Sequence, residues 1–247
     1  MKKTLLIILS VMGAAGLASV QAQLINVDFN QNDAVALGWG GGGVDPGPTM
    51  TGTAVLGSSA ADQWNGINVN NGVGISLFDS TGAATPVSMT FTSGGGFVLP
   101  EPNWGGNVTP YAGGPWNNLM CDFLFTGPTV VTLSGLAPNQ AYQWVQYSAA
   151  NNAGRTTDFT VNGNTLTSTY DNATTTLVEG VSYVNYGSVM SDGSGVLSVT
   201  VTAGVGATEG NLNGFQIQAV PEPGTFALVS AGAALLLGYQ RRKALRA

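Results

Sequence analysis

The sequence predicts an all-β sandwich, and three observations carry that prediction. Between residues 23 and 219, short segments rich in Val, Thr, Ile and aromatic residues alternate with clusters of Gly, Asn, Asp and Pro, the pattern of strands joined by turns. No window in that span holds an apolar repeat of helical period. The chain also carries 36 glycines, many of them at the boundaries between those segments, where tight turns need them.

Taken in order, the chain begins with Lys2 and Lys3, an apolar run over residues 5–11, and small residues up to Ala22. Val20-Gln21-Ala22 suits signal peptidase, so residues 1–22 read as a helical signal peptide whose removal leaves Gln23 as the new N-terminus. An uncleaved N-terminal anchor is the alternative. Strands are then expected over 24–29, 53–56, 75–79, 87–92, 119–126, 129–134, 142–148, 156–162, 165–170, 181–189, 196–202 and 214–219. These exceed a minimal sandwich, so some reduce to loops or short edge pairs. Asn162-Gly163 between two of them is a two-residue hairpin signal, because both central positions of that turn require positive φ. Cys121 is the one cysteine, and alternation places it on the face of Leu119, Phe123 and Phe125 as a small buried hydrophobe. With no disulfide framework, burial of apolar surface has to stabilise the domain.

The C-terminal segment, residues 220–247, has three ordered parts. Val220-Pro221-Glu222-Pro223 is held extended by its prolines. An uncharged apolar run over 225–239 follows, about 23 Å long as a helix, slightly short of a bilayer core. Tyr239 at the interface and outward-reaching arginines close that gap, and Arg241, Arg242 and Lys243 retain this end on the cytoplasmic side. A transmembrane helix is therefore expected at the C-terminus, with residues 23–219 forming the exported domain.

The ordered set P-E-P, hydrophobic helix and basic cluster resembles the PEP-CTERM sorting domain of Gram-negative, biofilm-forming bacteria. That resemblance covers only the last tenth or so of the chain. It implies recognition of Pro221, Glu222 and Pro223 by an exosortase, cutting near the motif, and passage from an inner-membrane-anchored precursor to the cell surface or extracellular matrix. An ordinary tail anchor with a proline-rich stalk is the alternative. Two further resemblances bear on the exported domain. Leu133-Ser134-Gly135-Leu136-Ala137-Pro138-Asn139-Gln140-Ala141-Tyr142 is similar to the tyrosine corner of fibronectin-like and related sandwiches, which makes Tyr142 structural. The opening Leu24-Ile25-Asn26-Val27-Asp28-Phe29 and the closing Leu212-Asn213-Gly214-Phe215-Gln216-Ile217 are similar to the first and last strands of galactose-binding-like jelly rolls. This likeness implies a jelly-roll-type β-sandwich.

Composition then limits the chemistry. In the exported domain twelve acids face the single Arg155, a net charge of −11. Such a surface repels phosphate backbones and excludes nucleic acid as a partner. It suits calcium or polycations, although diffuse negative charge is also a common solubility device. Calcium, through Asp28, Asp33 or Asp45 with backbone carbonyls, is the one cofactor with any support, and no calcium-loop spacing is present. The absence of histidine excludes Ser-His-Asp and Cys-His catalysis and imidazole metal sites. A glycosidase would need two carboxylates paired across a sugar, and nothing in the sequence pairs them. The glycine stretches precede no helix and are not phosphate-binding loops.

Five tryptophans remain: Trp39, Trp64, Trp104, Trp116 and Trp144. Gln63-Trp64-Asn65 and Trp116-Asn117-Asn118 set a ring beside amides, the combination that stacks on a sugar and bonds its hydroxyls. The same residues would equally close the ends of a sandwich core. Trp104, between Asn103 and Gly105, is expected to be exposed. Two functions follow as expectations: a non-catalytic, exported surface or matrix protein, or a surface-displayed carbohydrate-binding module contacting polysaccharide through Trp64, Trp104 or Trp116. A carboxylate-dependent glycosidase stands third.

Overall fold

The computed structural model describes residues 23–30, 49–57, 59–98, 111, 114–125, 127–150, 154–171, 173–221 and 232. The signal peptide, Asp33, Asp45, Trp39, Trp104, Glu222, Pro223 and the cluster Arg241, Arg242 and Lys243 lie outside the described residues, as does nearly all of the expected C-terminal helix. Among the described residues no helix is long and apolar enough to cross a membrane.

Strand-forming residues bounded by turn residues give thirteen strands and one short helix among the described residues. The strands are β1 (Leu24–Asp28), β2 (Asn65–Gly66), β3 (Gly72–Phe78), β4 (Ala84–Thr92), β5 (Gly95–Val98), β6 (Asp122–Phe125) and β7 (Thr129–Ser134). They continue with β8 (Ala141–Tyr147), β9 (Arg155–Val161), β10 (Asn164–Tyr170), β11 (Tyr183–Met190), β12 (Leu197–Ala203) and β13 (Gly214–Ala219). The helix, α1 (Asn117–Met120), precedes β6. The first sheet runs β11-β8-β13-β1-β2 and the second β10-β9-β12-β7-β4-β3, with β5 and β6 forming a separate ribbon.

Strand order identifies the architecture. Four strands, β11-β8-β13-β1, oppose four others, β10-β9-β12-β7, and apart from the β9–β10 hairpin the chain crosses between sheets at each connection from β7 to β13. All pairings among these eight strands are antiparallel. This is a jelly roll, widened at one edge by the β3–β4 hairpin and at another by β2, which lies parallel to β1.

Period-two alternation turns Val27, Trp144, Phe215 and Ile217 of the first sheet onto Phe91, Leu133, Phe159 and Val199 of the second. Phe29 and Phe91 meet edge to face at 5.2 Å, and Trp144 meets Phe215 at 5.8 Å. A second core lies on the outer face of the first sheet, where Met50, Leu56, Trp64, Leu119, Met120 and Phe123 cover Leu24, Val145 and Tyr147. Each large side chain so buried is worth about 1.5–3 kcal/mol. Two layers of apolar contact therefore replace the missing disulfides.

Several expected elements change. Residues 53–56 form no strand: they belong to the covering loop, and the Leu56 backbone bonds to the Gln216 side chain instead of to a ladder. The expected strand over 119–126 divides into α1 and β6, with Cys121 at the joint, buried in the second core beside Leu119, Phe123 and Phe125. The short strands β2 and β5 have too little alternation to be legible in sequence. Asn162 (φ 50°) and Gly163 (φ 76°) do form the tight β9–β10 turn, with Val161 opposite Asn164. The tyrosine corner also forms, its Tyr142 hydroxyl accepting the Ala137 N–H at 2.9 Å.

Candidate functional site

A groove of about 760 Å³ opens beside the start of β1, walled by Gly57, Ser59 and residues 61–63, the β3–β4 turn and Gln218 of β13. Backbone pairing sets its shape. The Ser80 N–H donates to the Leu24 carbonyl at 2.8 Å and the Gln63 N–H to the Ser80 carbonyl at 2.8 Å, joining three segments distant in sequence. Gly57, at φ +95°, lies so close to the Asp62 carboxylate that a Cβ would stand 2.3 Å from its Oδ2. The positive φ favours glycine there.

Asp62 and Asp79 supply the acid groups of the groove. Asp79 caps its own turn: its Oδ1 accepts the Thr81 hydroxyl at 2.7 Å, the Thr81 N–H at 2.9 Å and the Ala83 N–H at 3.0 Å. Burial pushes this carboxyl up, but those bonds and one from the Gln23 side chain outweigh it and hold the group below the ordinary value. Asp62 accepts the Ser59 N–H at 3.3 Å. Gln23, Gln63 and Gln218 bring amides to the same walls, and no aromatic ring lines them. The arrangement offers fixed acceptors and amide donors to a polar ligand.

Asp28 has the raised pKa that a general acid would need, in a place where no substrate reaches. It is fully buried beneath the covering loop, its Oδ2 accepting the Met50 N–H at 2.8 Å, while Oδ1 has no hydrogen-bond partner. Burial pushes its carboxyl up to about 7, and the Met50 bond offsets only part of that rise. Among the described residues no three acid or cysteine side chains converge, at Asp28 or elsewhere. Asp33 and Asp45, the other two expected calcium ligands, lie outside the described residues.

The expected sugar contacts fare differently from one another. Trp64 is buried, with 4% of its surface exposed, and its indole N–H donates to the Gly52 carbonyl at 2.9 Å. It packs on Tyr147 at 6.2 Å and offers no free ring face, which corrects the sugar-contact expectation at this residue. Trp116 is half-buried at the N-cap of α1, packed against the second core and away from the groove. Trp104 lies outside the described residues. The groove itself escaped sequence reading, since Gln23, Asp62, Asp79 and Gln218 meet only through strand crossovers. The single local signal was Asp79-Ser80-Thr81-Gly82, a turn in which an aspartate caps its own backbone.

At the end of the domain, Val220 continues the β13–β8 pairing by one bond, its N–H donating to the Ala141 carbonyl at 2.8 Å. Pro221, which has no N–H, stops the ladder and is exposed.

No family model matches this chain, and no curated protein matches it. Among solved structures it is similar to the CBM36-1 domain of a multidomain xylanase from the hindgut metagenome of Trinervitermes trinervoides. There the identity is 15%, coverage is 55% of this chain and 94% of that one, and the TM-score is 0.30. A ruminal GH26 endo-β-1,4-mannanase matches at 15% identity over 41% of this chain and 20% of that one, with TM-score 0.28. The exo-β-1,3-galactanase of Phanerochaete chrysosporium matches at 12% identity over 57% and 32%, with TM-score 0.30. The chain thus spans only a fifth of the mannanase and a third of the galactanase. At scores of this size the likenesses support no functional argument, and the jelly-roll assignment rests on strand order.

Proposed function

We propose that this protein is a non-catalytic, exported jelly-roll protein of the bacterial surface or extracellular matrix, sorted through its C-terminal P-E-P motif. One observation carries the reading. The last strand among the described residues, β13, ends at Ala219 and Pro221 is exposed, so the motif begins directly after the sandwich's closing strand. An exosortase is the partner implied by the resemblance, with signal peptidase acting at the other end. Against catalysis, the groove carboxylate Asp79 is tied into its own turn, and Asp28 is enclosed. A second reading, polysaccharide binding, is favoured by the amides of Gln23, Gln63 and Gln218 converging with Asp62 and Asp79 on one groove.

In a host carrying an exosortase, wild-type protein is expected to lose its C-terminal segment, while Glu222→Ala keeps it; intact-mass measurement decides. Identical, uncut C-termini in both would remove the sorting reading. The purified protein, incubated with insoluble polysaccharides, tests the second reading. Retention that drops in a folded Gln63→Ala variant supports binding in the groove, and no retention of wild type rejects it.

A further inference from the structure

We infer that Gln140 latches the sorting motif to the folded domain, so that processing waits for the latch to open. This rests on the sorting reading and adds a control step to it. Val220, the first residue of the motif, has both backbone groups engaged. Its N–H donates to the Ala141 carbonyl at 2.8 Å, and its carbonyl accepts the Gln140 Nε2 amide at 2.9 Å. The same Nε2 also donates to the Ala141 carbonyl at 3.0 Å, so one amide bridges the last residue of the ladder and the strand it pairs with.

The latch is pre-set by its surroundings. The Gln140 N–H donates to the Ser191 hydroxyl at 3.1 Å, and the Gln140 carbonyl accepts the Ser191 N–H at 3.0 Å. Ser191 in turn donates its hydroxyl to the Ala137 carbonyl at 2.6 Å, within the corner that Tyr142 closes. These bonds fix the Gln140 backbone beside the end of β13, within reach of Val220. Pro221, which lacks the N–H, cannot donate the next ladder bond.

An enzyme that binds an extended segment reads it largely through main-chain bonds. Both main-chain groups of Val220 are occupied until the end of β13 frays. Local opening of a terminal residue is a low-cost event, and removing one bond lowers that cost further. The latch thus sets how often the motif is presented without altering the motif itself.

The test uses the full chain in an exosortase-bearing host, with processing rate followed by pulse-chase and amide exchange at Val220 followed on purified precursor. Gln140→Ala is expected to be cut roughly fivefold faster, the worth of one net hydrogen bond, with raised exchange at Val220 and an unchanged melting temperature. A Gly-Ser insertion after Val220, which leaves the corner untouched, is expected to accelerate cutting as well, and keeps the test open should Gln140→Ala unfold. An unchanged or slower rate in both variants, on a wild type that is cut, overturns the latch alone. A wild type never cut overturns the sorting reading and the latch with it.

Discussion

The outer faces of the two sheets share one sequence pattern and occupy opposite environments. On the second sheet, Ser198 and Thr200 of β12, Thr160 of β9, and Thr165 and Thr167 of β10 are half-buried or exposed. Their hydroxyls pair with one another across strands, Thr160 with Thr165 at 2.8 Å and Thr132 of β7 with Ser198 at 2.8 Å. On the first sheet the equivalent outward positions, Asn26 and Asp28 of β1 and Gln216 of β13, are completely buried. The difference is the loop laid over them. Gln216 donates to the Asn26 side chain at 2.8 Å and the Leu56 carbonyl at 2.9 Å, and its Oε1 accepts the Leu56 N–H at 2.7 Å and the Tyr147 hydroxyl at 2.5 Å. Tyr147 then accepts the Val55 N–H at 3.0 Å. One amide fastens the covering loop to the sheet, and a polar alternation that suits solvent becomes an internal staple.

Breaking that staple is the strongest test of the contrast. Gln216→Leu strands the Leu56 backbone pair and the Tyr147 hydroxyl in a buried layer. It is expected to lower stability by roughly 3–5 kcal/mol, since each stranded group costs about 1–3 kcal/mol. Urea unfolding measures the loss, and limited proteolysis over residues 49–57 should report the loop coming free. A loss too small to detect would mean that apolar contact holds the loop and the polar network is incidental.

Asp28 sharpens the contrast through pH. Its folded pKa of about 7 lies above the ordinary 3.8, so the folded state binds the proton more tightly than the unfolded chain does. That contribution to stability is complete below the unfolded pKa and is lost as pH rises through the folded one. Wild-type melting temperature should therefore fall between about pH 4 and about pH 7, and Asp28→Asn should flatten the profile. At the alkaline end the variant is expected to exceed wild type by about 2–4 kcal/mol. Parallel profiles for the two proteins would show that Asp28 is not the titrating group.

What the sequence disclosed follows the same division. Where side chains alternate and a turn residue closes each end, the reading matched the structure residue for residue, as at Thr129–Ser134 and Gly214–Ala219. The tyrosine corner and the Asn162-Gly163 turn were legible because their chemistry is local. Alternation does not say whether a polar residue meets water or a loop, so the burial of Asn26, Asp28 and Gln216 was hidden. Residues 53–56 look like a strand because Val55 and Leu56 are apolar, yet their apolar side chains serve the second core and their backbone serves Gln216 and Tyr147. Trp64 was read as open to either role, and a buried indole bonded to Gly52 decides it. Beyond the Asp79 turn the groove had no sequence signature, because Asp62 and Asp79 belong to separate turns that the fold alone brings together.

The smallest expected effect lies on the open face and is as informative as the largest. Thr132→Val removes the bond to Ser198, leaves the β-branched shape in place and strips no buried group of a partner, since both hydroxyls lie at a half-buried, solvent-facing position. Water replaces the lost bond, so stability should stay within about 0.5 kcal/mol of wild type. The same urea titration used for Gln216→Leu reads it. If Thr132→Val costs as much as Gln216→Leu, a further segment or partner must cover the second sheet too. The two faces would then differ in what covers them and no longer in whether they are covered.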